Sequence, residues 1–227
     1  MKNIDVNLIN SLKDIDPMLW DNCACPEASS GVRPIDPFTT HRFLSALEDS
    51  NSVGHGTGWV ANYLIAKEGN VVVGVMPLYL KGHSQGEYIF DHNWAQAFSQ
   101  AGGRYYPKFQ IAVPFTPVSG RRILAKTGYE VSVGDAFIKV AKKIAIDNQV
   151  SSIHFTFCSD YEVEHLKKWN MLSRKNLQYH WLNDDYKNFE DFLAALSSRK
   201  RKAIRKERRL ALQFGGEISC LTGSDIT

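Results

Sequence analysis

The run WVANYLIAK (59–67), EGN (68–70) and VVVGVMPLYLK (71–81) decides the fold. Both arms are rich in β-branched and aromatic residues, and the Glu-Gly-Asn between them supplies a turn, so the run reads as an antiparallel hairpin. Pro77 has no N–H to give a ladder and predicts an edge or a bulge. Downstream, GEYIF (86–90) extends the sheet, DHNWAQAFSQ (91–100) is a short helix and KFQIAVPF (108–115) is a buried type of strand. The turn-rich TPVSGRRILAKTGYE (116–130) leads to a helix, with Ser132 and Asp135 read as its capping box and a stripe through Phe137, Val140, Ala141 and Ile144. IHFTFCS (153–159) alternates as a strand, Ser159 and Glu162 form a second capping box, and NLQYHWL (176–182) alternates again.

Upstream of the hairpin, Val6 to Ile9 is strand-like and Asp16-Pro17 starts a helix toward Trp20. Thr39 or Thr40 caps a second helix whose apolar face is Phe43, Leu44 and Leu47. Between them CACPEASSGVRPIDP (23–37) is a loop. Helices, a meander, then helix, strand, helix and strand require a mixed α/β layer architecture: one mostly antiparallel sheet with helices on both faces over residues 1–182. Residues 183–227 follow as a separate strand, helix (Phe189 to Phe214) and short strand (GGEISCL, 215–221), too little to bury a core of their own and so expected to be the opening of a second domain.

The 227 residues are 44% hydrophobic and 22% charged, ordinary globular values that exclude disorder and low-complexity scaffolding. No apolar run approaches the roughly 18 residues of a membrane-spanning helix, and the first sixteen residues lack a signal peptide's apolar core. A cytoplasmic protein is expected. Its four cysteines make neither a disulfide framework nor a zinc ribbon, so reduced thiols and no metal site are expected. The net charge of +3 hides an asymmetry: SSRKRKAIRKERR (197–209) carries eight basic residues and one acidic, while the remainder is net acidic. That pattern points to one local anion contact, not a surface that coats nucleic acid.

In HSQGEYIFDHNW (83–94) four titratable side chains crowd the exit of a strand. Glu87 and Asp91 straddle an apolar run where a carboxylate can be partly buried and its pKa raised, which makes them the candidate bases; turn-capping acids would look the same. His83, Trp94, Tyr105, Tyr106 and Lys108 are the candidate substrate contacts, the two tyrosines walling a groove and the lysine meeting a phosphate or carboxylate. Gly120, Arg121 and Arg122 could hold an anion after the strand, or be a solvated turn. His154 reads as a structural strand residue.

The strings FLSALEDSNSVGHGTGW (43–59), MPLYLKGHSQGEYIFDHNWAQAF (76–98), RYYPKFQIAVPFTPVSGRRIL (104–124) and FEDFLAALSSRKRKAIRKERR (189–209) resemble the FemAB-like peptidoglycan biosynthesis or recognition proteins of the GNAT superfamily. The resemblance implies GNAT-like domains in tandem and N-acyl or aminoacyl transfer to an amine of a cell-wall-precursor or peptide-like acceptor, a small molecule or a lipid-linked peptide. It places Lys202, Arg205 and Lys206 at an interdomain groove facing a phosphate. GNAT enzymes that use acetyl-CoA hold its pyrophosphate on a Q/R-x-x-G-x-G/A loop, and VSGRRILAKTG (118–128) departs from that pattern. No cofactor is therefore expected on these residues, and the implied donor is an acyl-CoA or an aminoacyl-tRNA used by the whole chain. Two rival classes remain: a GNAT fold that only recognises a ligand, and RNA binding through the basic helix.

Overall fold

A computed structural model describes residues 3–26, 35–175, 177–213, 215–216 and 219–225. They form two compact units, 1–176 and 177–227. The first unit carries β1 (Asp5–Ile9), α1 (Pro17–Ala24), α2 (His41–Asp49), β2 (Trp59–Ala61), β3 (Tyr63–Glu68), β4 (Val71–Met76), β5 (Leu78–Lys81), α3 (His92–Gln100), β6 (Lys108–Ile111), β7 (Leu124–Ala125), α4 (Glu130–Asp147), β8 (Ile153–Phe155) and α5 (Asp160–Lys167).

The hairpin forms as expected, but both arms break at one level, so the single sheet anticipated divides into two. The first has the order β1-β3-β4-β7 and is antiparallel throughout; the second, β2-β5-β6-β8, is antiparallel except for the parallel β6–β8 pair. Asn62 separates β2 from β3, and Pro77 separates β4 from β5. Pro77 thus marks neither an edge nor a bulge; its missing donor ends one ladder where the chain crosses to the other sheet. At the crease the Asn62 N–H donates to the Leu78 carbonyl at 2.8 Å. The one register shift of the hairpin lies at Ala66/Lys67 instead.

Apolar residues on opposite sides of these strands build two cores. Trp59, Tyr63, Val75 and Tyr79 meet Trp20 of α1 and Leu44 of α2 on one side, while Leu64, Val73, Met76 and Ile111 meet Phe137, Ile138 and Ala141 of α4 on the other. Helices therefore cover both faces. Asp16 caps α1 and Thr40, not Thr39, caps α2. Helix α4 lies close against the sheet because Gly74 faces it: a Cβ there would come within 2.3 Å of Val133. Ser159 and Glu162 form the capping box of α5.

Several local expectations give way to tertiary demands. Helix α4 starts at Glu130, two residues before the expected cap, so Ser132 Oγ donates to the Tyr129 carbonyl and Asp135 is recruited by the Trp169 indole at 2.7 Å. GEYIF forms no strand, because Tyr88 and Phe90 adopt left-handed φ values of 58° and 51°, which a pleat cannot hold. Residues 177–182 form no strand either, and Leu177, Tyr179, Trp181 and Leu182 are exposed. In the second unit the expected long helix is two, α6 (Phe189–Ala195) and α7 (Ser198–Ala211), interrupted by extended backbone at Leu196 and Ser197. Phe214, the end of the expected helix, with Glu217 and Ile218 of the expected last strand, lies outside the described residues, and the described part of that segment is not strand.

Candidate active site

The register of two adjacent strands creates a charge problem. In the β5–β6 pair Lys81 stands directly opposite Lys108, and both side chains are fully buried. Like charges facing each other across a ladder repel, and a buried cation needs an anion, so the fold has to supply two carboxylates. Glu87 and Asp91 provide them from the loop between β5 and α3. The left-handed residues Tyr88 and Phe90 turn their own rings outward while Glu87 and Asp91 turn inward, 3% and 0% exposed.

Lys108 Nζ spends three donors, on Glu87 Oε2 at 2.7 Å, Asp91 Oδ2 at 2.7 Å and Ser84 Oγ at 2.9 Å. The Tyr105 hydroxyl donates to Asp91 Oδ2 at 2.7 Å, and the Tyr106 hydroxyl lies 2.7 Å from Ser84 Oγ. Lys81 Nζ donates to the Gln85 carbonyl at 3.0 Å, sits 3.6 Å from the centre of the Trp59 ring and is 4.0 Å from Glu87 Oε1. Glu87 Oε1 and Asp91 Oδ1 are buried without a hydrogen-bond donor.

The members of this network differ in acidity for identifiable reasons. Burial raises the Glu87 carboxyl above the usual range, against the pull of Lys108. Burial acts on Asp91 too, but hydrogen bonds from Lys108, Ser84 and Tyr105 outweigh it and hold the group down to about 2. Burial lowers the Lys81 ammonium to about 7 despite Glu87, and pushes the Tyr105 phenol up. His154, 6.1 Å from Tyr105 between ring centres, is lowered to about 4 by burial and by Lys108. Asp91 is thus a fixed negative charge, while burial favours the uncharged forms of Glu87 and Lys81.

Of the residues singled out in the sequence, Glu87, Asp91, Tyr105, Tyr106 and Lys108 come together. Lys81 and Ser84 complete the network without having been anticipated; a lysine ending a strand resembles a surface residue until the pairing partner is known. His83 stays outside, its Nδ1 accepting from the Gln85 amide and its ring packed on Gly58. Trp94 also stays outside, 61% exposed on α3 with Arg174 stacked 4.7 Å from its ring.

Arg121 and Arg122 part company. Arg122 is 1% exposed and its guanidinium donates to the carbonyls of Thr156, Arg121 and Val118, so it braces the chain and does not form the expected open anion contact. Arg121 donates to the Ala24 carbonyl at 2.6 Å and lines a cavity of about 490 Å³ with Asp36, Glu130, Glu162 and His165. Glu162 spends its oxygens on the amides of Arg122, Ile123 and Ser159, and His165 Nε2 lies 3.1 Å from Asp135. Three carboxylates against one arginine, with Glu130 placing its own charge in the first turn of α4, do not suit the pyrophosphate of coenzyme A.

In the second unit, Arg205 pairs with Glu190 at 2.5 Å and the Arg208 guanidinium lies 4.2 Å from the Phe189 ring centre, while Lys202 and Lys206 are exposed. Its cavity of about 480 Å³ is bordered by Arg205, Arg208 and Arg209, not by the two lysines. Among the described residues no cluster of His, Cys, Asp and Glu could hold a metal, and no helix is long and apolar enough to cross a membrane.

A model of the FemAB-like family, described as peptidoglycan biosynthesis/recognition, matches residues 11–227. No curated protein matches the chain. Similar solved structures include a ribosomal-protein-alanine N-acetyltransferase from Brucella melitensis biovar Abortus 2308, 14% identical over 80% of this chain and 99% of that one, with a TM-score of 0.43. A GCN5-related N-acetyltransferase from Ralstonia eutropha JMP134 is 10% identical over 79% of this chain and 99% of that one, TM-score 0.44. An aminoglycoside acetyltransferase from an uncultured soil metagenomic sample, solved with trehalose, is 11% identical over 79% of this chain and 95% of that one, TM-score 0.43.

Proposed function

The chain belongs to the FemAB-like family, and from that premise we propose that it transfers an acyl or aminoacyl group to an amine of a cell-wall-precursor or peptide-like acceptor in the cytoplasm. The observation that carries the reading is a hydrogen-bonded path from the half-buried Tyr106 hydroxyl through Ser84 Oγ and Lys108 Nζ to the buried Glu87 carboxylate. An amine attacks a carbonyl only after losing its proton, and the path gives that proton somewhere to go. Lys108 first passes the proton it shares with Glu87 to that carboxylate, and the neutral amine so formed turns its lone pair to Ser84 and takes the Ser84 proton. Ser84 is refilled by the Tyr106 hydroxyl, whose oxygen takes the proton of the acceptor ammonium. The result is a neutral amine and a protonated Glu87, with every intermediate group restored. Burial favours the uncharged carboxyl at the end of the path, and Asp91 stays ionised to hold Lys108 and Tyr105 in place.

The remaining assignments stand on the same footing. Tyr105 and Tyr106 form the rim that meets the acceptor. Residues 1–182 constitute the first domain and 183–227 open a second, a division that the two compact units support. Lys202, Arg205 and Lys206 contribute to an anion contact on the second.

Tyr106→Phe tests the path, because it removes one rim hydroxyl and no buried charge. We expect turnover of an amine acceptor to fall by on the order of 10²-fold with the melting temperature unchanged, and Glu87→Gln to fall by on the order of 10²–10⁴ with some loss of stability. Full activity in Tyr106→Phe would reduce the charged network to a structural device.

A further inference from the structure

We propose that helix α3 and the turn before it, Tyr88 to Phe98, form a docking element that lies on an anionic lipid bilayer surface. None of the nine residues of α3 is buried. In helical projection Trp94, Ala97, Phe98 and Ala101 share one side, opposite Gln96 and Gln100, and Phe90 lies in the left-handed turn just before the helix. Tyr88, Phe90, Trp94 and Phe98 are 50%, 78%, 61% and 49% exposed. The backbone is committed to that exposure: the left-handed conformations of Tyr88 and Phe90 present their rings to solvent in the same turn that buries Glu87 and Asp91.

Charge selects the partner. From Tyr88 to Arg104 the sole carboxylate is Asp91, which is fully buried against Lys108, so the exposed surface of this stretch is free of negative charge. Arg174 is stacked on Trp94, and Arg104, which follows the helix, is exposed and gives one N–H to the Gln149 carbonyl at 3.3 Å. Aromatic rings that settle at headgroup depth, with guanidinium groups beside them for lipid phosphates, are the chemistry of an interfacial helix. Nine residues are too few to span the roughly 30 Å hydrocarbon core, so the element lies on the surface. A glycan would be met by polar side chains around the rings, whereas the neighbours of Trp94 and Phe98 on this side are alanines.

The test needs no substrate, so its failure leaves the acyl-transfer reading standing. The whole chain is sedimented with vesicles of phosphatidylcholine alone and of phosphatidylcholine mixed equally with phosphatidylglycerol, at low and high salt. Binding to the mixed vesicles, weakened by salt, is expected. Phe90→Ser should lower it by about tenfold, and Arg104→Gln with Arg174→Gln should remove most of its salt dependence. Phe90 is 78% exposed, so its replacement leaves folding intact, which the melting temperature checks. Brominated lipids should quench a fluorescence component that is absent from Trp94→Phe. The proposal is overturned by failure to bind either vesicle, or by equal binding of Phe90→Ser. Two other results would also overturn it: a twofold solution mass abolished by Phe90→Ser, which would assign the surface to a second copy, or shielding of Trp94 by soluble peptidoglycan sugars without vesicle binding.

Discussion

Replacing Lys81 by Met should remove a steep component of the pH dependence of stability above about pH 7. The side chain is fully buried beside Trp59, and its ammonium is lowered to about 7, against 10.5 in the unfolded chain. Between those values the unfolded chain binds one proton more than the folded one, so stability rises with pH at up to about 1.4 kcal/mol per unit. From pH 7 to pH 9.5 the rise attributable to Lys81 comes to about 2–3 kcal/mol, and below pH 7 the buried charge is a constant cost. Met fills similar volume against the indole and carries no charge, so the variant should match or exceed the unmodified protein at pH 6 and lose that advantage by pH 9.5. Urea denaturation of both proteins at four pH values between about 7 and 9.5 measures the difference, in which titrations remote from Lys81 cancel. Parallel curves would refute the reasoning, since they would mean that Lys81 titrates alike folded and unfolded.

Lys108→Met removes the cation that Glu87 and Asp91 share, and should cost about 3–5 kcal/mol as two buried carboxylates lose their partner. Adding Glu87→Gln and Asp91→Asn should recover much of that loss in the triple variant, measured by the same denaturation series. The cationic surface of α7 should bind a small pyrophosphate-bearing lipid analogue with an affinity that falls as a low power of salt. An RNA spread over all eight cations would add roughly 0.7–0.9 to the log–log slope for each phosphate neutralised, so a steep slope for tRNA, reduced by Lys202→Ala as much as by Arg205→Ala, would favour nucleic-acid binding.

What the sequence disclosed and what it withheld separate along the range of the interaction. Local chemistry was legible: Asp16 before Pro17, Thr40 before α2, and the Ser159–Glu162 box act within three residues and form in the structure. Asp135 looked like the same kind of signal, yet Trp169, thirty-four residues away, claims it. NLQYHWL alternates as well as any strand, but a period of two needs a partner edge, and residues 177–182 pair with none. The candidate site was legible only as a cluster of side chains. Clustered titratable groups in HSQGEYIFDHNW drew attention to Glu87 and Asp91, while the reason both are buried lies in the Lys81–Lys108 register, which only the pairing of two distant strands establishes.

Gly74 has a reach well beyond its own strand. By admitting Val133 to the sheet surface it fixes how near α4 stands, and Glu130, one helical turn earlier, is a wall of the cavity that also holds Arg121 and His165. The aperture of that cavity is therefore set from beneath, by a position that contributes no side chain and borders no ligand. A single methyl at residue 74 would press on Val133, push α4 away from the sheet and carry Glu130 with it, leaving every group in the cavity wall chemically untouched.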